Sequence, residues 1–152
     1  MRRPALAAAA LAAALAPQAA LALKPGPAPE MKLAVAQAPD PLKAGQAGVV
    51  RVTVQPPEGI TLNRYPGITL TIEKAGGVAL EKAEAFVGTK TPIDDPAEFA
   101  FKKIDPLELK VTPARAGSVA LEGTMVFTYC VKASGFCAPA KQKVKIPLTA
   151  AR

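Results

Sequence analysis

The 152-residue chain has no histidine, no tryptophan, two cysteines and few aromatics (five Phe and two Tyr). The missing imidazole excludes Ser-His-Asp and Cys-His catalysis, His-ligated zinc, two-His non-haem iron and blue copper. Two thiols alone do not complete a four-ligand zinc or iron–sulfur site. Ser118 and Ser134 have no histidine to activate them, which disfavours a serine hydrolase. Thiol chemistry, carboxylate chemistry or no catalysis at all are left, and no cofactor or metal is expected.

Long apolar runs are also scarce. The one marked run, Ala5 to Ala16, follows Arg2 and Arg3 and precedes Pro17-Gln18 and the small-x-small triplet Ala20-Leu21-Ala22. It is well short of the roughly 20 residues a membrane span requires. The pattern is that of a secretory signal peptide over residues 1–22, cleaved after Ala22, and predicts export to the periplasm. Cleavage would leave an ordinary domain of about 130 residues, long enough for one core. Its net charge falls from +7 to +5 (17 basic against 12 acidic) because Arg2 and Arg3 leave with the signal. The lysines are scattered and no aromatics interleave with them, unlike a nucleic-acid footprint.

Residues 23–31 form a Pro-rich, extended lead-in containing Pro25, Pro27 and Pro29, and residues 32–152 carry the domain. Val50, Val52 and Val54 alternate with polar residues and stop at Pro56-Pro57. Ile68, Leu70 and Ile72 alternate up to Gly76-Gly77, and Leu107, Leu109 and Val111 up to Pro113. A further run goes from Val119 to Tyr129, and Val144, Ile146 and Leu148 close the chain. Period-two alternation puts one face on a core and the other in water. With 16 Pro and 11 Gly there is little room for a long helix. Seven or eight short strands predict an all-β, immunoglobulin-like antiparallel β-sandwich. Pro147 within the last run marks an edge strand or a bulge.

Cys130 and Cys137 flank Ser134-Gly135, a turn signal, so the two face each other across a hairpin. In an oxidising compartment an isolated pair is expected to bridge. Two uses stay open. A staple across an eight-residue loop gives only about 2.5 kcal/mol in the chain-entropy model. An exchanging disulfide is the other, with Lys132 and Lys141 nearby to favour a thiolate. Asp94, Asp95 and Glu98 lie among prolines as a solvated turn, and Met31 and Met125 read as core residues rather than copper ligands.

Tyr129-Cys130, Gly135-Phe136-Cys137-Ala138-Pro139 and the Lys-rich closing strand resemble the amino-terminal periplasmic domain of the thiol:disulfide interchange protein DsbD family. Ala85-Phe86-Val87-Gly88-Thr89-Lys90 looks like that family's cap loop, and the similarity runs from about Leu80 to Leu148. The resemblance implies an immunoglobulin-like relay domain in which Cys130 and Cys137 exchange and Phe86 shields them. It also implies a membrane-embedded thiol reductase as donor, here a separate protein, and periplasmic thioredoxin-like proteins as clients. This chain differs in one extra residue between the cysteines and in Lys132-Ala133, where an acidic residue often lies. The alternative expectation is a non-catalytic secreted β-sandwich, a binding or scaffolding module with a structural hairpin disulfide.

Overall fold

The computed structural model describes residues 26–152, so the signal-peptide segment lies outside the described residues. Alternation produces strands where it was expected. These are β3 (Gly48–Gln55), β5 (Ile68–Lys74), β8 (Leu107–Pro113), β9 (Gly117–Val131) and β10 (Cys137–Ala151). Five further strands had no comparable signal: β1 (Lys32–Ala38), β2 (Leu42–Lys43), β4 (Ile60–Leu62), β6 (Val78–Leu80) and β7 (Glu84–Val87). A 3₁₀ turn at Pro96–Glu98 is the sole helical element among the described residues. Asp95 Oδ1 caps it by accepting from the Ala97 N–H at 2.9 Å.

One sheet has the order β1-β3-β8-β6, the other β2-β10-β9-β5-β7, with β4 also paired to β9. All pairings are antiparallel except the short one between β2 and β10. The architecture is an immunoglobulin-like β-sandwich. Val50, Val52, Leu107, Leu109 and Val111 from the first sheet are buried against Ile68, Leu70, Leu121, Met125, Phe127 and Ile146 from the second. Met31 and Met125 are both core residues, and no polar or charged side chain is buried among the described residues.

The side of the sandwich where β1 and β10 meet is closed by two side-chain amides. Gln142 accepts from the Met31 N–H at 2.8 Å and donates to the Met31 carbonyl at 2.9 Å. Gln37 does the same for Thr149, accepting from its N–H at 3.1 Å and donating to its carbonyl at 3.0 Å. Each amide acts as a detached peptide group and satisfies backbone that no strand pairs.

The Val131 N–H bonds the Phe136 carbonyl, so the next pair in register, Cys130 with Cys137, is a non-hydrogen-bonded pair. By the same alternation, Cys137, Pro139, Lys141, Lys143, Lys145, Pro147 and Thr149 turn their backbone groups away from β9, toward the open edge. The expectation for Pro147 is met as an edge strand, since its missing N–H removes no bond from the β9 ladder.

Candidate functional site

The site is built on the turn end of the β9–β10 hairpin. These two strands pair over 14 positions, from Gly117 with Ala150 to Cys130 with Cys137. The chain reverses through Lys132–Phe136, where the Gly135 N–H bonds the Val131 carbonyl and Gly135 adopts φ 71°. That left-handed conformation suits a residue without Cβ. Ser134 Oγ accepts from the Phe136 N–H at 3.3 Å.

Cys130 and Cys137 form a disulfide with Cα atoms 4.1 Å apart. Both lie on the outer face of the second sheet, Cys130 half-buried and Cys137 exposed. The asymmetry comes from the neighbouring strands: β9 is flanked at Cys130 by β4, whereas the far side of Cys137 is the open edge of β10.

On that flank, β4 and β5 run end to end along β9 but are not continuous. Asn63 still follows the β4 register, its N–H donating to the Thr128 carbonyl at 2.9 Å, and pairing resumes only at Thr69 with Val126. The residues between loop out through the cis Tyr65–Pro66 bond and Gly67 (φ 91°). A Cβ at Gly67 would strike the Val87 carbonyl and the Phe86 ring, so glycine is required twice over there. The segment Phe99–Phe101 then pairs with the other side of β4, through Arg64 N–H to Phe99 carbonyl and Phe101 N–H to Leu62 carbonyl.

The β4 register along β9 delivers Asn63 to the disulfide. Its Oδ1 is 3.3 Å from Cys130 Sγ. A disulfide sulfur carries no hydrogen, so the contact is packing in the oxidised protein and becomes a hydrogen bond only when Cys130 is a thiol. Asn63 also lines a cleft of about 220 Å³ with Tyr65, Pro92, Ile93 and Phe99. Phe136, next to Cys137, packs edge-on to the buried Tyr129 with ring centroids 6.3 Å apart. Four large apolar side chains are exposed among the described residues: Tyr65, Phe99, Val126 and Phe136. Two rim the cleft beside Asn63, one adjoins Cys137, and Val126 is on the outer face four residues before Cys130.

The remaining expected residues are more dispersed. Lys132 is exposed in the reversing turn, its N–H bonded to the Gly59 carbonyl. Lys141 shares the outer face with Cys137 but stands opposite Val126, about 13 Å along the strand. Phe86 is half-buried on β7, facing Thr69 on β5, which in turn faces Val126. Its Cα is therefore two strand spacings and four residues from Cys130, and its ring lies by Gly67 and under Lys90 Nζ, 5.1 Å from the centroid. The side chain packed on the Cys130 sulfur is Asn63, which no sequence motif singles out.

Charge near the site is held by Glu98. It accepts from Lys102 and from Arg64, at 2.7 and 2.6 Å, and these cations hold its carboxyl below the ordinary value, Lys102 most of all. Glu98 thereby ties down the Arg64 side chain, while Asp95 caps its turn; the acidic cluster is used within the fold. No three His, Cys, Asp or Glu residues converge as a metal site among the described residues.

No family model and no curated protein matches the chain. Among solved structures it is similar to AggA, the major subunit of aggregative adherence fimbriae type I from Escherichia coli, at 11% identity and a TM-score of 0.31, over 80% of this chain and 96% of that one. At that distance nothing of AggA's role is transferred.

Proposed function

We propose that the protein is a thiol–disulfide exchange module whose working group is the Cys130–Cys137 disulfide. The observation that carries this reading is the setting of the bond: an exposed cysteine at a sheet edge, with exposed Phe136 beside it and the apolar rim of the Asn63 cleft, Tyr65 and Phe99, on the Cys130 side. Exchange needs in-line access to one sulfur and a surface on which a partner can dock.

The asymmetry of burial supports a division of roles. A partner thiolate attacks Cys137 Sγ, the S–S bond breaks, and its electron pair leaves on Cys130, which then takes a proton from water. The partner's second thiolate attacks its own sulfur in the mixed disulfide and expels Cys137 as a thiolate. The partner dithiol is oxidised to a disulfide and the Cys130–Cys137 pair gains two electrons. Running the steps backward delivers those electrons to an oxidised client. The resemblance to the DsbD amino-terminal domain supports the same chemistry. It suggests a separate membrane-embedded reductase as donor, thioredoxin-like clients and a periplasmic location.

A second reading has its own support. The disulfide joins the last pair of a 14-position ladder, where it clamps the turn end of the longest hairpin. The exposed apolar side chains would then serve a binding or scaffolding module without redox chemistry. The reduction potential separates the two, measured by alkylation mass shift across a glutathione series. A potential of about −180 to −270 mV is expected for the exchanging pair. A value below about −300 mV would assign the bond to structure and favour the second reading.

A further inference from the structure

Exchange chemistry leaves open what makes the two thiols of the reduced pair different, and the one polar side chain on either sulfur offers an answer. Asn63 Oδ1 sits 3.3 Å from Cys130 Sγ. No comparable side chain reaches Cys137, whose polar neighbour is the Gly135 carbonyl at 3.7 Å. We propose that Asn63 is a positioning residue that keeps Cys130 protonated in the reduced protein and so confines exchange with partners to Cys137. The inference rests on the thiol-exchange reading and adds a division of labour between the two sulfurs.

The argument is electrostatic. An amide oxygen accepts an S–H and presents partial negative charge to a thiolate, so it favours the thiol and raises the pKa of the group it faces. Cys130 is also half-buried, and desolvation acts in the same direction. The other groups around Cys130 do not offset this selectively. β4 places Thr61 opposite it, β10 places Cys137, and the adjoining loops supply Arg64, Tyr65 and Lys132. Arg64 is turned toward Glu98, Lys132 is exposed, Lys141 lies four positions beyond Cys137, and Glu58, the carboxylate of the loop before β4, is exposed. The cations favour thiolate in general, and Asn63 decides which sulfur receives it.

A consequence follows for the electron-delivering direction. Cys137 attacks the client disulfide as the thiolate, and Cys130 resolves the mixed disulfide only after giving up the proton it shares with Asn63. The mixed disulfide is therefore long-lived at neutral pH and resolves faster as pH rises.

The test uses the whole reduced chain and iodoacetamide as the probe over a pH series. Tryptic cleavage at Lys132 separates the two cysteines, so each is quantified by mass spectrometry. In the wild type, Cys137 should be modified first and the Cys130 profile should lie at higher pH. Asn63→Ala should shift only the Cys130 profile down, with several-fold faster Cys130 modification near neutral pH. Asn63→Asp, which puts a full negative charge at the same place, should shift it up. The backbone bonds of Asn63 to β9 remain in both variants, and matching near-ultraviolet dichroism checks the fold. Unchanged Cys130 profiles in both, or equal shifts of both cysteines, would overturn the role of Asn63. Exchange with glutathione is scored separately in the same samples. A pair that fails to equilibrate with glutathione sinks the exchange reading, whereas a pair that equilibrates with an unmoved Cys130 profile sinks only the inference.

Discussion

At the scale of single residues, the strictest positions are set by what lies within a few ångströms. Gly123 is buried in β9, and a Cβ there would collide with the Thr71 carbonyl on β5, at the strand pair whose register shifts between Ile72 and Lys74. Backbone cannot step aside as a flexible side chain can. Gly123→Ala should therefore destabilise the fold by about 1–3 kcal/mol, measured by urea unfolding. Glu98 gives a pH signature. Its folded pKa is below the ordinary 4.5, through Lys102 first and Arg64 after it. Its stabilising contribution is present above that ordinary value and lost as pH falls through the lowered one. Acidification should lower the melting temperature of the wild type more than that of Glu98→Gln, and equal slopes would show that the ion pairs do not contribute.

Elements differ in how much the chain reveals of them. β3, β5, β8, β9 and β10 declare themselves because long alternating runs such as Val50-Val52-Val54 make sense only with one face buried. β2, β4, β6 and β7 span two to four residues, too short for a period to register, and exist because partners elsewhere in the chain bind them. β1 alternates, but Leu33 and Val35 are separated by alanines and are only half-buried, which blunts the contrast. The hairpin and its cysteine pairing were legible from Ser134-Gly135 and the two flanking runs. Asn63 was not: a polar residue ahead of Tyr-Pro-Gly reads as turn, and its place on Cys130 depends on β4 pairing with β9. The amide closure of the β1–β10 side is also a feature of elements meeting in space. Gln142→Ala removes both bonds to Met31 and should cost about 1–2 kcal/mol in chemical denaturation. A change within error would mean that water replaces the amide there.

For the whole molecule, the core and the disulfide are separable. The buried aliphatic set spans both sheets, while the Cys130–Cys137 bond closes only its own short turn. The double variant Cys130→Ser, Cys137→Ser should keep its far-ultraviolet dichroism and cooperative melt, losing about 2.5 kcal/mol of stability. A double variant that does not fold would assign the bond to the scaffold and weaken the exchange reading. On the exchange reading proposed above, the sandwich would carry a site that is oxidised and reduced without being remade.

The open rim of β10 matters for how many copies can coexist. Six of its outward-turned positions from Cys137 to Pro147 are two prolines, three lysines and the exposed cysteine. A second molecule laid against this rim would find two hydrogen donors deleted at fixed intervals and like charges between them. Strand addition has no continuous template along this rim. The rim is thus built to end a sheet, and along it one copy cannot prolong the β-ladder of another.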